Sequence, residues 1–366
     1  MTDKMQALYD KWRNLGISAD RRARKRLPQS ALFWALVIAI PPSTIVTTHL
    51  WLRSAYSGDL FHLQGFLNQY DYGIYRYRLL GRDALLFIYR HLLGAFHDRP
   101  YMMPRDPNAT QLFYASYVLM DALCFSLSNF LLLLLLSDRK RHLSDQNLAT
   151  YLYLTLIQTL AMAVVTPYDQ LAYLLILTSL LAVTLPGRWV GYAILGLAAL
   201  AGGLTRETQF LVTPALFSAA LFSTGRRSRH LWAAGLINLA VFGLVYIALR
   251  VFLPGSDAVA GGNTYGGKWA FESLFALALL FYVSTSLAVR MHADIRPTVA
   301  LLIFSSPYIV AILISGVLRE LRLLVPILLA QTFVYVELQL DSGREARSTA
   351  ASEPPQGPQN LVPEAR

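Results

Sequence analysis

The segment LLGRDALLFIYRHLLGAF, residues 79–96, decides how the rest of the chain is arranged. It is apolar enough to resemble a membrane span, but it is interrupted by four ionisable side chains, Arg82, Asp83, Arg90 and His91. Each charge at the centre of a bilayer costs about 2.5–3.5 kcal/mol on the insertion scale. We therefore predict that this segment is an amphipathic helix at the membrane interface rather than a span.

The composition of the whole chain predicts an integral membrane protein. Of its 366 residues, 55% are hydrophobic and only 15% are charged, and many apolar runs are long enough to cross a hydrocarbon core. The formal charge of +10 comes from Lys and Arg residues that cluster beside these runs, as membrane orientation requires. We therefore expect no nucleic-acid partner.

The apolar runs predict an all-α, polytopic fold of about ten transmembrane helices, with the amphipathic helix in the first extracytoplasmic loop. The predicted spans cover residues 30–52, 112–137, 147–165, 169–186, 188–204, 207–223, 231–252, 269–289, 297–316 and 321–338. They form a transmembrane domain over 30–338, between a basic cytoplasmic segment over 1–29 and a tail over 339–366. The tail is rich in Pro, Ser, Ala and Glu, which predicts disorder.

The distribution of basic residues sets the predicted orientation. When residues 79–96 are left out of the membrane, the basic N-terminus, the tail and the connections 138–142, 225–230 and 290–296 share one side. By the positive-inside rule that side is the cytoplasm, so both termini are predicted to be cytoplasmic.

Because successive spans cross the membrane in opposite directions, the remaining polar segments are predicted to lie on the opposite face of the membrane. They are residues 53–111, 166–170, 204–208, 254–268 and 317–322. Most of these connections are short and yet ionisable, which indicates a polar cavity that opens outward. Interfacial anchoring, or structural ion pairs such as Arg206–Glu207 and Arg319–Glu320 at kinked helix ends, would account for the same charges.

Arginines at membrane depth suit a lipid phosphate, because the guanidinium fork binds phosphate through two hydrogen bonds. The candidates are Arg76, Arg78, Arg206, Arg319 and Arg322. Glycosyl transfer from a lipid-linked sugar needs, besides these arginines, one carboxylate that faces the phosphate. A phosphate leaves readily once its charge is stabilised, so no acid is needed for the leaving group. One general base then suffices to take the proton of the acceptor hydroxyl.

Asp59 is the predicted base. It follows the first span by a few residues, at the start of a predicted interfacial helix, where it would face the cavity. The alternative is a simple N-cap of that helix, a position that favours Asp. Asp71 and Asp83 are rivals for the catalytic role.

Together with Asp59, the stretches YDYGIYRYRLLGR (70–82), TRET (205–208) and ELRLLVP (320–326) resemble the GT-C fold integral membrane glycosyltransferases. The resemblance runs over residues 31–337. It implies an inverting, hexosyltransferase- or mannosyltransferase-like enzyme that takes a sugar from a polyprenyl-phosphate donor on the extracytoplasmic face, with Asp59 as its base.

The resemblance also implies how the substrate is held. Arg206 with Arg319 or Arg322 would hold the donor phosphate, and Asp169 would line the cavity. Apart from the resemblance, the position of Glu207 beside Arg206 predicts that it holds the Arg206 guanidinium in place or shapes the acceptor site. The predicted substrate-binding residues are Arg76, Arg78, Asp169, Arg206, Glu207, Arg319, Glu320 and Arg322.

A lipid or glycan acceptor is expected, because no soluble domain follows the last predicted span. The expected location is the bacterial inner (plasma) membrane. The seven histidines are scattered and have no ligand spacing, so we expect neither a metal nor a cofactor, although some relatives use a divalent ion.

Two other functions fit the same composition. A polysaccharide polymerase or ligase would use a similar lipid-linked donor, but it would carry a large late loop, whereas the late loop here is only 254–268. A lipid or solute transporter would need no base and would show internal repeats, of which the sequence gives no sign.

Overall fold

The computed structural model describes residues 29–51, 60–71, 73–102, 106–137, 143–162, 166, 168–253, 269–291, 293–315 and 321–352. Within these residues every regular element is a helix and no sheet forms, which confirms the predicted all-α class.

The helices follow the order of the apolar runs. In the described residues they are α1 (Gln29–Trp51), α2 (Leu63–Asn68), α3 (Leu79–Ala95), α4 (Gln111–Leu136), α5 (Asp145–Ala161), α6 (Asp169–Ala182), α7 (Arg188–Gly203), α8 (Val212–Phe222), α9 (Gly225–Phe252), α10 (Trp269–Arg290), α11 (Arg296–Phe304), α12 (Ser306–Ser315) and α13 (Val325–Ser352). Short 3-10 segments accompany them at Gln69–Asp71, Gly73–Tyr77, Glu207–Leu211 and Leu321–Leu323.

Two predicted spans are divided where the chain leaves α-helical geometry. In the predicted span 207–223, the 3-10 segment Glu207–Leu211 precedes α8. In the predicted span 297–316, Ser305 separates α11 from α12, and Pro307 follows shortly after. A proline has no backbone N–H to donate and clashes with the preceding turn, so a helix breaks readily at that point.

Among the described residues, α4 and α9 are long and apolar enough to cross a membrane by length and composition. They contain 26 and 28 residues, whereas α6 contains 14 and α8 contains 11. At the rise of an α-helix, the two shorter helices reach only about 21 and about 17 Å. The two long helices indicate membrane association, and the total of about ten spans stays a prediction.

The outer face of α9 is apolar. Leu244, Ile247 and Val251 recur at helical spacing and are 70%, 61% and 64% exposed. The polar Asn238 of the same helix is fully buried instead. Soluble monomers rarely expose a contiguous apolar surface while they bury polar groups, so this distribution favours contact with lipid.

We expect Leu244→Asp to impair membrane integration, because a carboxylate within the bilayer costs about 2.5–3.5 kcal/mol on the insertion scale. Leu244→Ala, which removes volume without adding charge, should integrate like the wild type. The measurement is the fraction of each variant that stays with the membrane after alkaline extraction. Equal fractions for the two variants would contradict lipid contact at this face.

Helix α3 occupies the segment for which an amphipathic helix is predicted. Its buried side chains Leu85, Leu86 and Tyr89 join a cluster with Phe113 and Tyr117 of α4. The rings of Tyr89 and Phe113 meet edge to face, with centroids 4.8 Å apart. One face of α3 is therefore fixed against α4, and its position at a membrane interface stays a prediction.

Asp106 ties the connection between α3 and α4 to the segment before α2. It is fully buried and accepts hydrogen bonds from the backbone N–H groups of Phe61 (2.9 Å) and Asn108 (3.0 Å). The Nδ1 atom of His62 lies 3.0 Å from the same carboxylate. Asp106 therefore has a structural role in this loop.

Asp98 fixes the start of α4. Its carboxylate accepts hydrogen bonds from the backbone N–H groups of Leu112 (2.9 Å) and Arg99 (3.0 Å) and from the hydroxyl of Tyr89 (2.9 Å). Partial burial alone would raise the pKa of Asp98, but these bonds, with one from Thr110, outweigh burial and hold the pKa below its ordinary value.

The depressed pKa predicts a pH-dependent contribution of Asp98 to stability. The contribution is present above the pKa of the unfolded chain and is lost as the pH falls through the lower pKa of the folded state. Thermal unfolding in detergent from pH 7 down to pH 3 should therefore show a smaller loss of stability for Asp98→Asn than for the wild type. The exposed Asp71→Asn variant serves as the charge-matched control and should follow the wild-type profile. Parallel profiles for all three proteins would contradict the assignment.

A buried polar network joins α6, α8 and α9 just after the end of α7. The Nε2 atom of Gln209 donates to Ser179 (2.8 Å) and Asn238 (3.3 Å), and the Nδ2 atom of Asn238 donates to Thr213 (3.0 Å). A Cβ atom added to Gly202 would lie 2.5 Å from the Gln209 side chain, so a larger residue at this position would displace Gln209 from the network. The network fixes the chain around the turn that leads from α7 to α8.

The last helix extends beyond its predicted end. Helix α13 continues to Ser352, whereas disorder is predicted from residue 339. The residues GREARSTAA (343–351) include several good helix formers, which explains the continuation, and Pro354 and Pro355 favour its end. Residues 1–28 and 353–366 lie outside the described residues.

Candidate functional site

Three buried arginines are presented by three breaks in the helical structure. Arg78 directly precedes α3, Arg206 directly precedes the 3-10 segment Glu207–Leu211, and Arg322 lies in the 3-10 segment Leu321–Leu323. They are 5%, 5% and 6% exposed. Arg78 and Arg322 both act electrostatically on Arg206, so the three guanidinium groups form one cluster.

Asp169, the first residue of α6, is the shared partner of two of these arginines. Its Oδ1 atom pairs with Nη1 of Arg206, and its Oδ2 atom lies 3.0 Å from Nη1 of Arg322. All three side chains are 6–7% exposed, so the triad is excluded from bulk solvent.

Arg78 has a different environment. Its Nη2 atom lies 3.3 Å from Oε2 of Glu207, whose side chain is 31% exposed. The guanidinium also lies over the rings of Tyr75 and Tyr168, 5.1 and 4.5 Å from their centroids. Both distances are within the range of a cation–π interaction.

Hydrogen bonds across the bundle hold these breaks in place. The backbone N–H of Leu80 donates to the carbonyl of Leu204 (3.0 Å), which joins the start of α3 to the end of α7. The hydroxyl of Tyr173 donates to the carbonyl of Arg322 (2.8 Å), and that of Tyr308 donates to the carbonyl of Leu323 (3.3 Å). The arginines are therefore positioned by their backbone as well as by their side chains.

The cluster carries an excess of positive charge. Among the described residues it contains three guanidinium groups and two carboxylates, those of Asp169 and Glu207. The buried Nε atom of Arg78 has no hydrogen-bond partner in the described part of the chain. A buried cation and an unmatched donor are both costly, and an added anion would relieve both costs.

Five of the predicted substrate-binding residues lie in this cluster, namely Arg78, Asp169, Arg206, Glu207 and Arg322. Arg76 is half-buried in the 3-10 segment Gly73–Tyr77, two residues before Arg78. The predicted base Asp59 and the pair Arg319 and Glu320 lie outside the described residues.

The rival carboxylates of the first loop have other surroundings. Asp71 is exposed at the end of the 3-10 segment Gln69–Asp71. Asp83 is 59% exposed and pairs with the neighbouring Arg82 at 2.8 Å. Within the described residues, neither carboxylate forms an ion pair with the arginine cluster.

The pairing inside the cluster differs from the expected one. Arg206 pairs with Asp169 rather than with its neighbour Glu207, which pairs with Arg78. The backbone at Arg206 is extended, and successive side chains of an extended chain point to opposite sides. Glu207 therefore holds the guanidinium of a distant residue, and Asp169 is a counter-ion in addition to a wall of the site.

Sequence reasoning missed the aromatic partners and a fourth arginine. Tyr75 and Tyr168 contact Arg78, although interfacial anchoring is the usual role of such tyrosines. Arg250, in the last turn of α9, lies over the rings of Tyr77 (4.7 Å) and Tyr246 (3.4 Å). The adjacency of Tyr168 to Asp169 was a usable signal, whereas nothing local distinguishes Arg250.

The guanidinium groups of the site are positively charged hydrogen-bond donors, which suit an anion rather than a metal ion. In the described ranges no group of three or more His, Cys, Asp or Glu side chains is arranged to hold a metal ion. Comparison of the chain with protein families, with curated proteins and with solved structures gave no match. The function is therefore inferred from the chemistry of the site.

We expect Asp169→Asn to destabilise the fold by about 3–5 kcal/mol, because it leaves Arg206 and Arg322 buried without their shared anion. Asp83→Asn removes the same charge from an exposed pair and should change stability by at most about 1 kcal/mol. Thermal unfolding of the detergent-purified variants gives the comparison. Similar small shifts for both would show that the Asp169 pairs contribute little.

Proposed function

We propose that the chain is an inverting integral membrane glycosyltransferase that moves a sugar from a polyprenyl-phosphate donor to a lipid or glycan acceptor. In this proposal the chain crosses the bacterial inner membrane about ten times, with both termini in the cytoplasm and the arginine cluster toward the extracytoplasmic face.

The observation that carries the proposal is the buried excess of guanidinium over carboxylate. Among the described residues, the ion pairs of Arg78, Arg206 and Arg322 involve two carboxylates, and Asp169 is shared by two of these arginines. A phosphate group supplies one to two negative charges and several acceptor oxygens, which is the chemistry that this cluster lacks.

A lipid-linked phosphate fits the surroundings better than a free one. The apolar outer face of α9 suits contact with hydrocarbon chains, and Arg250 lies in the last turn of the same helix. A donor with its phosphate in the cluster and its polyprenyl tail along the helices would satisfy both kinds of surface.

The reaction divides into two tasks. The arginines stabilise the negative charge that develops on the departing phosphate, and this stabilisation is large in a site that excludes water. A carboxylate takes the proton from the acceptor hydroxyl as that oxygen attacks the anomeric carbon. We assign the second task to Asp59, which follows α1 and belongs to the same loop as Arg78.

Native mass spectrometry of the detergent-purified protein tests the proposal without knowledge of the sugar or acceptor. We expect wild type to retain a polyprenyl phosphate, with or without sugar, and Arg78→Gln and Arg206→Gln to lose it. Arg90→Gln, which removes the same charge from the exposed surface of α3, should retain it.

Two further outcomes are informative. Equal binding of bulk phospholipid by all four proteins would remove the basis for the donor site and would favour lipid transport. If the donor is retained but Asp59→Asn supports full transfer in membranes, the base lies elsewhere in the first loop.

A further inference from the structure

The two carboxylates of the cluster are held very differently. Asp169 is almost fully buried and has an arginine on each oxygen. Glu207 is 31% exposed and contacts Arg78 through a single oxygen at 3.3 Å. The contact between Arg78 and Glu207 is longer than the 3.0 Å contact between Arg322 and Asp169, and it involves the more exposed carboxylate.

Arg78 does not depend on Glu207 for its position. The rings of Tyr75 and Tyr168 contact its guanidinium, and the backbone beside it is held by the hydrogen bond from Leu80 to Leu204. The Nε atom of Arg78 has no hydrogen-bond partner in the described residues. The guanidinium would therefore stay in place, with donors to spare, if Glu207 left it.

Besides Arg78, two further cations, Arg206 and Arg250, act electrostatically on Glu207. The guanidinium of Arg250 lies 4.7 Å from the centroid of Tyr77, one residue before Arg78. A glutamate side chain has enough rotatable bonds for its carboxylate to turn away from Arg78. Its partial exposure leaves room for that movement.

We infer that Glu207 is an exchangeable counter-ion, which neutralises Arg78 while the site is empty and is displaced when a phosphate group binds. This inference rests on the anion site of the proposed function. Displacement frees the partly exposed Glu207 carboxylate, which can then accept hydrogen bonds from sugar hydroxyls. The exchange makes phosphate binding weaker than the arginines alone would give, because each binding event must first release Glu207.

The test compares the affinities of purified variants in nanodiscs of neutral lipid, by isothermal titration with farnesyl phosphate and with inorganic phosphate. If Glu207 occupies Arg78 in about nine molecules of ten, Glu207→Gln should bind about tenfold more tightly than wild type, since only the competent fraction binds. Asp83→Asn removes one negative charge from an exposed pair and should bind like wild type.

The double variant Glu207→Gln with Arg78→Gln separates exchange from a general change in charge. It should lose the gain in affinity, because the freed guanidinium is the reason for that gain. Glu207→Asp keeps the charge on a shorter side chain that reaches Arg78 less well, and it should bind with an affinity between those of wild type and Glu207→Gln.

The outcomes distinguish the two proposals. A gain for both probes supports exchange at a phosphate site, and a gain for farnesyl phosphate alone supports exchange at a site that also needs the lipid tail. Binding by wild type with unchanged or weaker binding by Glu207→Gln would overturn the exchange and leave the proposed function standing. Binding of neither probe by wild type and Glu207→Gln would overturn both.

Discussion

The pairing of one buried carboxylate with two buried arginines is the constraint on which the rest of the site depends. Asp169 begins α6, Arg206 lies at the turn between α7 and α8, and Arg322 lies before α13. A lone buried charge would be strongly unfavourable, so both arginines require Asp169, and Asp169 requires a cationic partner. The triad therefore specifies how three separate parts of the chain meet.

The apolar interior makes this arrangement possible. A large cluster of buried apolar side chains joins α4, α6, α8 and α13, and it includes Leu132, Tyr173, Leu216 and Phe333. This burial offsets the cost of bringing polar groups together among the helices. The glutamine and asparagine network that follows α7 adds directional contacts, and these fix the turn that carries Arg206.

Much of the helical framework could be predicted from the apolar runs, since the starts of α4, α6 and α7 fall within two residues of their predicted positions. The division of two spans was not predicted, because hydropathy measures composition and does not register a local break such as the one before Pro307. The structure brings Arg78, Arg206 and Arg322 together, as expected of residues assigned to one face of the membrane, and the assignment to that face stays a prediction.

The partners of those arginines were beyond the reach of the sequence. Arg206 and Glu207 are neighbours and suggest a local pair, but the extended backbone at Arg206 directs their side chains to different partners. The contact of Arg78 with Tyr168 joins residues ninety positions apart, which one sequence without a structure gives no means to pair. Local pattern therefore singled out residues that meet in the structure, and tertiary packing decided what each one contacts.

The breaks that present the arginines also orient the backbone. Helix α3 starts directly after Arg78, α6 starts at Asp169, and α13 starts three residues after Arg322, so three helices have their N-termini near the cluster. The N-terminus of a helix carries about half of a positive elementary charge from its aligned peptide dipoles. The peptide groups themselves thus add to the positive potential, and part of the attraction for an anion comes from the direction in which the helices run and does not depend on any side chain.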